Sequence, residues 1–98
     1  MEIVKNKDGA VLNVALNGRL DTTTAPQLEG EVQPDLPGVT ELNFDFSGLE
    51  YISSAGLRVL LSCQKIMNKQ GSMVIRNANE DICEVFEITG FSDILTVE

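Results

Sequence analysis

Residues Leu42 to Arg58 read LNFDFSGLEYISSAGLR, and the first five of them decide what kind of sheet the chain can build. Leu42, Phe44 and Phe46 fall on one face of an extended segment and Asn43 and Asp45 on the other, the period of two that marks a half-buried strand. The same one-sidedness occurs in Val11 to Asn17, where Leu12, Val14 and Leu16 alternate with Asn13, Ala15 and Asn17. Strands covered on both faces read as nearly unbroken apolar runs. These do not, so one face of the sheet is expected to stay bare.

Working outward, Glu2 to Asn6 alternate weakly and lead into Lys7-Asp8-Gly9-Ala10, where Asp-Gly is a hairpin signal. Thr24-Ala25-Pro26-Gln27 fits a capping box, with Thr24 as N-cap, Gln27 at N3 and Pro26 in the first turn. A short helix follows, with Ala25, Leu28 and Val32 on one side, and it must stop near Gln33 because Pro34, Pro37 and Gly38 punctuate the next stretch. The longest helical pattern runs from Ser54 to about Gln70, with Leu57, Leu60, Leu61, Cys63, Ile66 and Met67 as its apolar stripe and Gly71 after it. A strand over Ser72 to Arg76, a helix over Glu80 to Thr89 capped by Gly90, and a last strand near Ile94 to Val97 complete the chain. The order β-β-α-β-α-β-α-β implies mainly parallel pairing through right-handed crossovers. The expectation is one α/β domain over residues 1–98, a mixed, mainly parallel sheet of about five strands with helices mostly on one face.

Composition narrows the function. A chain of 98 residues has room for one compact unit, and 43% hydrophobic, 22% charged and only 3 prolines fit a globular domain. Fifteen acidic against seven basic residues give a net charge of −8. That field repels nucleic-acid backbones and anionic lipid headgroups, which argues against nucleic-acid and membrane partners and favours a protein with a basic patch. The N-terminal stretch lacks signal-peptide form and no segment approaches a membrane span, so a cytoplasmic location is expected. Cys63 and Cys83 lie far apart inside helical patterns and form no CxxC, which suits structural thiols. No histidine is present, removing the commonest general base and metal ligand. No cofactor and no metal are expected.

Ser53-Ser54, at the junction of strand and helix, admits several readings. A nucleophile elbow needs G-x-S-x-G and a base, and neither is there. Lys65 lies about 16 Å along the helix axis from Ser54, too far to activate it. Asp45 on its strand lacks the acidic pair and terminal lysine of a phosphate-accepting receiver domain. No catalytic residue is therefore assigned. As a helix cap, one hydroxyl would accept from a free backbone N–H. The same helix start also tolerates a phosphate, because unpaired N–H groups and the helix dipole favour an anion.

The stretch FDFSGLEYISSAGLRVLLSCQKIMNKQGSMVIRNANEDICEVFEITGF, residues 44 to 91, resembles STAS domains, specifically the small bacterial anti-sigma factor antagonists. NGRLDTTTAPQLEGEV, residues 17 to 32, is similar to that family's second strand and first helix. The resemblance implies a partner-switching binder rather than an enzyme. The unphosphorylated antagonist binds an anti-sigma factor that is also a serine kinase, phosphorylation breaks the complex, and a phosphoserine phosphatase restores it.

The chain departs from the family at one point. Relatives carry Asp-Ser-Ser-Gly or Asp-Ser-Thr-Gly and take phosphate on the hydroxyl just before glycine, where this sequence has Ala55. Either the acceptor has moved one residue earlier, to Ser54, with Ser53 as the second choice, or the domain binds without a switch, as a constitutive scaffold or signalling adaptor. The resemblance also implies a partner-binding surface of Ser53, Ser54, Gly56 and Arg58. Asp21 matches an acidic residue placed near it, although an aspartate before three threonines also suits a plain turn.

Overall fold

The alternation in Leu42 to Phe46 becomes the two faces of a sheet. In the computed structural model, which describes residues 1–98, Leu12, Val14, Leu16, Leu42, Phe44 and Phe46 are buried, while Asn13, Ala15, Asn17, Asn43 and Asp45 are exposed or half-exposed. The strands are β1 (Glu2–Asp8), β2 (Val11–Leu20), β3 (Glu41–Ile52), β4 (Ser72–Arg76) and β5 (Thr96–Val97). The helices are α1 (Ala25–Val32), α2 (Ser54–Gln70) and α3 (Glu80–Thr89), with single 3₁₀ turns at Gln33–Asp35 and Phe91–Asp93.

The five strands lie side by side in chain order, β1 antiparallel to β2 and every later pair parallel. Each parallel step goes through a helix and moves in the same direction across the sheet. Right-handed crossovers that never reverse direction place all their helices on one face, whereas a doubly wound sheet needs a reversal to cover both. This is the physical reason that β2 and β3 are apolar on one side only. The covered side holds one cluster of 24 buried hydrophobic residues, to which α1 gives Ala25, Leu28 and Val32, α2 gives Leu57, Val59, Leu60, Cys63 and Met67, and α3 gives Ile82 and Phe86.

Several boundaries differ from the pattern-based expectation, each for a local reason. The hairpin loop is Gly9–Ala10, since Asp8 pairs with Val11, and Gly9 takes the positive φ of 61° that its first position needs. β2 and β3 run on well past Asn17 and Phe46, because their pairing shifts register between Ala15 and Asn17 and again between Gly18 and Arg19. Such shifts break the period of two, so the buried residues after Phe46 are Leu49 and Ile52. β5 is only Thr96–Val97, because Phe91–Asp93 forms a 3₁₀ turn and the backbone N–H groups of Ile94 and Leu95 donate back to Phe91. In α2, Leu61 and Ile66 are half-exposed at the edges of the stripe, while Val59 and Gln64 are buried beside it. The side chain of Asn79, which the sequence pattern did not single out, caps α3 by accepting from Ile82 N at 2.8 Å.

Leu60 is fully buried. Leu60→Ala should cost about 2 to 5 kcal/mol in urea unfolding as a large-to-small core truncation; a change of surface-mutation size would contradict this packing.

Candidate partner-binding site

β2 and β3 finish together, with Arg19 paired to Tyr51 and Leu20 to Ile52. One residue later the chain enters α2. Ser53 makes that turn in an extended conformation, its N–H donating to Leu20 O at 2.8 Å, its Oγ accepting from Gly56 N at 3.3 Å and its C=O accepting from Leu57 N at 3.0 Å. Ser53 is thus the N-cap and Ser54 the first helical residue.

Gly56 is where the helix start meets the strand ends. A Cβ there would lie 2.7 Å from Leu20 Cγ and 3.0 Å from Ile52 Cγ1, so only glycine lets α2 descend this far onto β2 and β3. Gly56 is itself buried. Within the expected partner-binding surface its contribution is to bring the helix close.

The other expected residues divide by exposure. Ser54 is exposed, and its hydroxyl makes no hydrogen bond to the protein, whereas the Ser53 hydroxyl is engaged in the cap. Ala55 is half-buried and packs on the core. Arg58 is exposed and stands four residues after Ser54, the spacing that brings helix side chains into reach of one another.

Asp21 sits in the turn that leads from β2 into α1. Its Oδ1 accepts from Thr23 Oγ1 at 2.7 Å, Thr23 N at 3.0 Å and Thr24 N at 3.1 Å. The Thr23 hydroxyl first, then the Thr24 amide, hold its pKa below the ordinary aspartate value of 3.8. The capping box expected at Thr24 does not form. Thr24 is helical in φ and ψ and its hydroxyl donates to Arg19 O at 2.8 Å, while Gln27 reaches Met1 O at 3.4 Å. Asp21 has taken the role of satisfying the free amides of the turn.

Between α1 and α2 lies a shallow groove of about 480 Å³, with Thr22, Pro26 and Glu29 on one side and Ala55, Arg58 and Ser62 on the other. A further pair beside the serines escaped sequence reasoning. The Arg19 guanidinium lies 4.3 Å from the centre of the Tyr51 ring, and Tyr51 is 42% exposed. The two residues are far apart along the chain and meet only through β2–β3 register. The thiols stand apart from this surface: Cys63 is buried and its pKa is pushed up to about 12, chiefly by desolvation, with the Glu29 charge adding to it.

The family model described as "Mlab, STAS domain" matches residues 3–96. A Bordetella bronchiseptica protein whose name includes "anti-sigma factor antagonist BtrV" is 36% identical over 99% of this chain and 85% of its own length. The anti-sigma-B factor antagonist of Bacillus subtilis is 29% identical over 99% of this chain and 88% of its own. Among solved structures, an anti-sigma factor antagonist from Mycobacterium paratuberculosis superposes with a TM-score of 0.87 at 21% identity, over 98% of this chain and 83% of that one. Unphosphorylated SpoIIAA, also an anti-sigma factor antagonist, gives 0.78 at 16% identity, over 99% and 87%. At these identities the structural likeness speaks for the fold.

Ser53→Ala should destabilise the domain by about 1 kcal/mol, the scale of a lost N-cap, read from denaturant midpoints. Asp21 should titrate below the usual aspartate range in an NMR pH series. Because its folded pKa is lowered, its stabilising contribution is complete above the unfolded value and fades as pH falls through the folded one. Asp21→Asn should flatten that part of the stability curve, and an unchanged curve would show the turn to be energetically idle.

Proposed function

Because the chain belongs to the STAS domain family, we propose that it is an anti-sigma factor antagonist that docks an anti-sigma factor over the first turn of α2. The names of the related proteins support this reading, as do the exposure of Ser54 and Arg58 in the first turns of α2 and the half-buried Asp21 just past the end of β2. Docking there displaces the sigma factor the partner had held. The domain acts by binding and supplies no catalytic group.

The switch is serine phosphorylation at Ser54. The anti-sigma factor, itself a serine kinase, transfers the γ-phosphoryl group of ATP to Ser54 Oγ, releasing ADP and the hydroxyl proton. The observation that carries the choice is that Ser53 has committed its hydroxyl to Gly56 N and Ala55 has none, leaving Ser54 with the exposed free hydroxyl. The phosphate adds about −1.5 to −2 charges. The unpaired amides and dipole of the α2 N-terminus tolerate that charge, so the fold persists while the partner's docking face is blocked. A phosphoserine phosphatase hydrolyses the ester and resets the switch.

A second reading, a constitutive scaffold or signalling adaptor, draws on Ala55 at the position where the family resemblance implies the acceptor hydroxyl.

Incubation with ATP and each anti-sigma kinase of the source organism, followed by mass spectrometry, separates the two. One phosphate that disappears with Ser54→Ala is expected. Ser54→Glu should weaken binding by about tenfold or more by placing bulk and a charge where the partner docks, next to the carboxylate the partner brings there, with unchanged thermal melting. Phosphate that survives Ser54→Ala and vanishes with Ser53→Ala would move the site, and binding without any phosphate gain would favour the constitutive adaptor.

A further inference from the structure

Arg19 offers something the serine pair does not. Of the seven basic residues in the chain, Lys5 is tied to Asp35 at 2.9 Å and Arg76 reaches Glu98 at 3.5 Å. The Arg19 guanidinium has no hydrogen-bond acceptor. Its nearest carboxylate oxygen, Asp21 Oδ2, is 4.0 Å from Nε, and the side chain is 58% exposed. Nor is Asp21 free to swing in, since its other oxygen accepts from three donors, the Thr23 hydroxyl and the Thr23 and Thr24 amides.

The group is nevertheless held in place. It lies over the Tyr51 ring at 4.3 Å, and strand register puts Arg19 directly beside Tyr51. A guanidinium fixed by an aromatic face, with its N–H fork unspent, is pre-organised to take a carboxylate in two parallel hydrogen bonds. Ordering costs are then small, because the strands and the ring have already restricted the side chain. Tyr51, two residues before Ser53 and 42% exposed, supplies apolar area at the same spot. Arginine and tyrosine together are the residue types that dominate binding energy at protein interfaces.

We infer that Arg19 stacked on Tyr51 is a specificity anchor of the docking surface, receiving an Asp or Glu side chain of the anti-sigma factor beside an apolar pocket that accepts the Tyr51 ring. This rests on the anti-sigma reading and deepens it by naming the partner's chemistry. The docking face then extends from α2 across the ends of β2 and β3.

The test titrates each purified anti-sigma factor of the source organism into the unphosphorylated chain by calorimetry, then repeats the titration with variants of whichever binds. Arg19→Ala should weaken binding by about tenfold or more, and Arg19→Lys should weaken it clearly, because an ammonium keeps the charge and loses the fork. Tyr51→Ala should weaken binding and Tyr51→Phe should keep it within about twofold, since the ring face and not the hydroxyl holds the guanidinium. Arg76→Ala, an exposed arginine on β4, should change nothing beyond about twofold. Thermal melting of every variant is measured alongside, because a merely structural β2–β3 contact would move melting and leave affinity unchanged. Affinity of Arg19→Ala within about twofold of the unaltered chain, while Ser54→Glu abolishes binding, overturns the anchor and leaves the anti-sigma reading standing. Failure of every anti-sigma factor to bind the unaltered chain removes both.

Discussion

The close approach of α2 to the ends of β2 and β3 at Gly56 governs the geometry of the candidate site. With Leu20 Cγ only 2.7 Å from where a Cβ would stand, the helix start can seat itself only because that side chain is missing. Once seated, Ser53 has both partners within reach, Leu20 O for its N–H and Gly56 N for its hydroxyl. The cap in turn sets which residue is first in the helix. From there the roles of Ser54, Ala55 and Arg58 are matters of helical angle.

One short segment thus divides between residues that build the junction and residues left on the surface. Ser53 and Gly56 serve the junction, one by capping and one by vacancy, and Ala55 packs on the core. Ser54 and Arg58 are left on the surface, outside the packing that seats the helix. Asp21 stands between the two roles. Its Oδ1 holds the turn into α1, while its Oδ2 lies 4.0 Å from Arg19 Nε, an ion pair too long for a hydrogen bond.

Periodicity carried the sheet because burial on one face is written into alternate residues of a strand. Leu12, Val14, Leu16, Leu42, Phe44 and Phe46 could be assigned to the core from their spacing alone, and α2 from Ser54 to Gln70 from its apolar stripe. Periodicity failed where the pairing slips: the register shifts after Ala15 and Gly18 reverse the parity, and the strands continue beyond the point where the pattern stops. Thr24 misled for a different reason. The sequence spacing for a capping box was present, but the hydroxyl found Asp21 N and Arg19 O first.

From the sequence alone came the element order, the bare sheet face, the absence of histidine and the placing of a serine pair at a helix start, since each depends on residues close together in the chain. Tertiary structure alone decided that Gly56 is buried, that Ser53 and not Ser54 holds the cap, and that Arg19 lies on Tyr51. Those three outcomes depend on strand register and on how deeply α2 sits against the sheet. Contacts between residues remote in sequence set both quantities, and no local spacing encodes them.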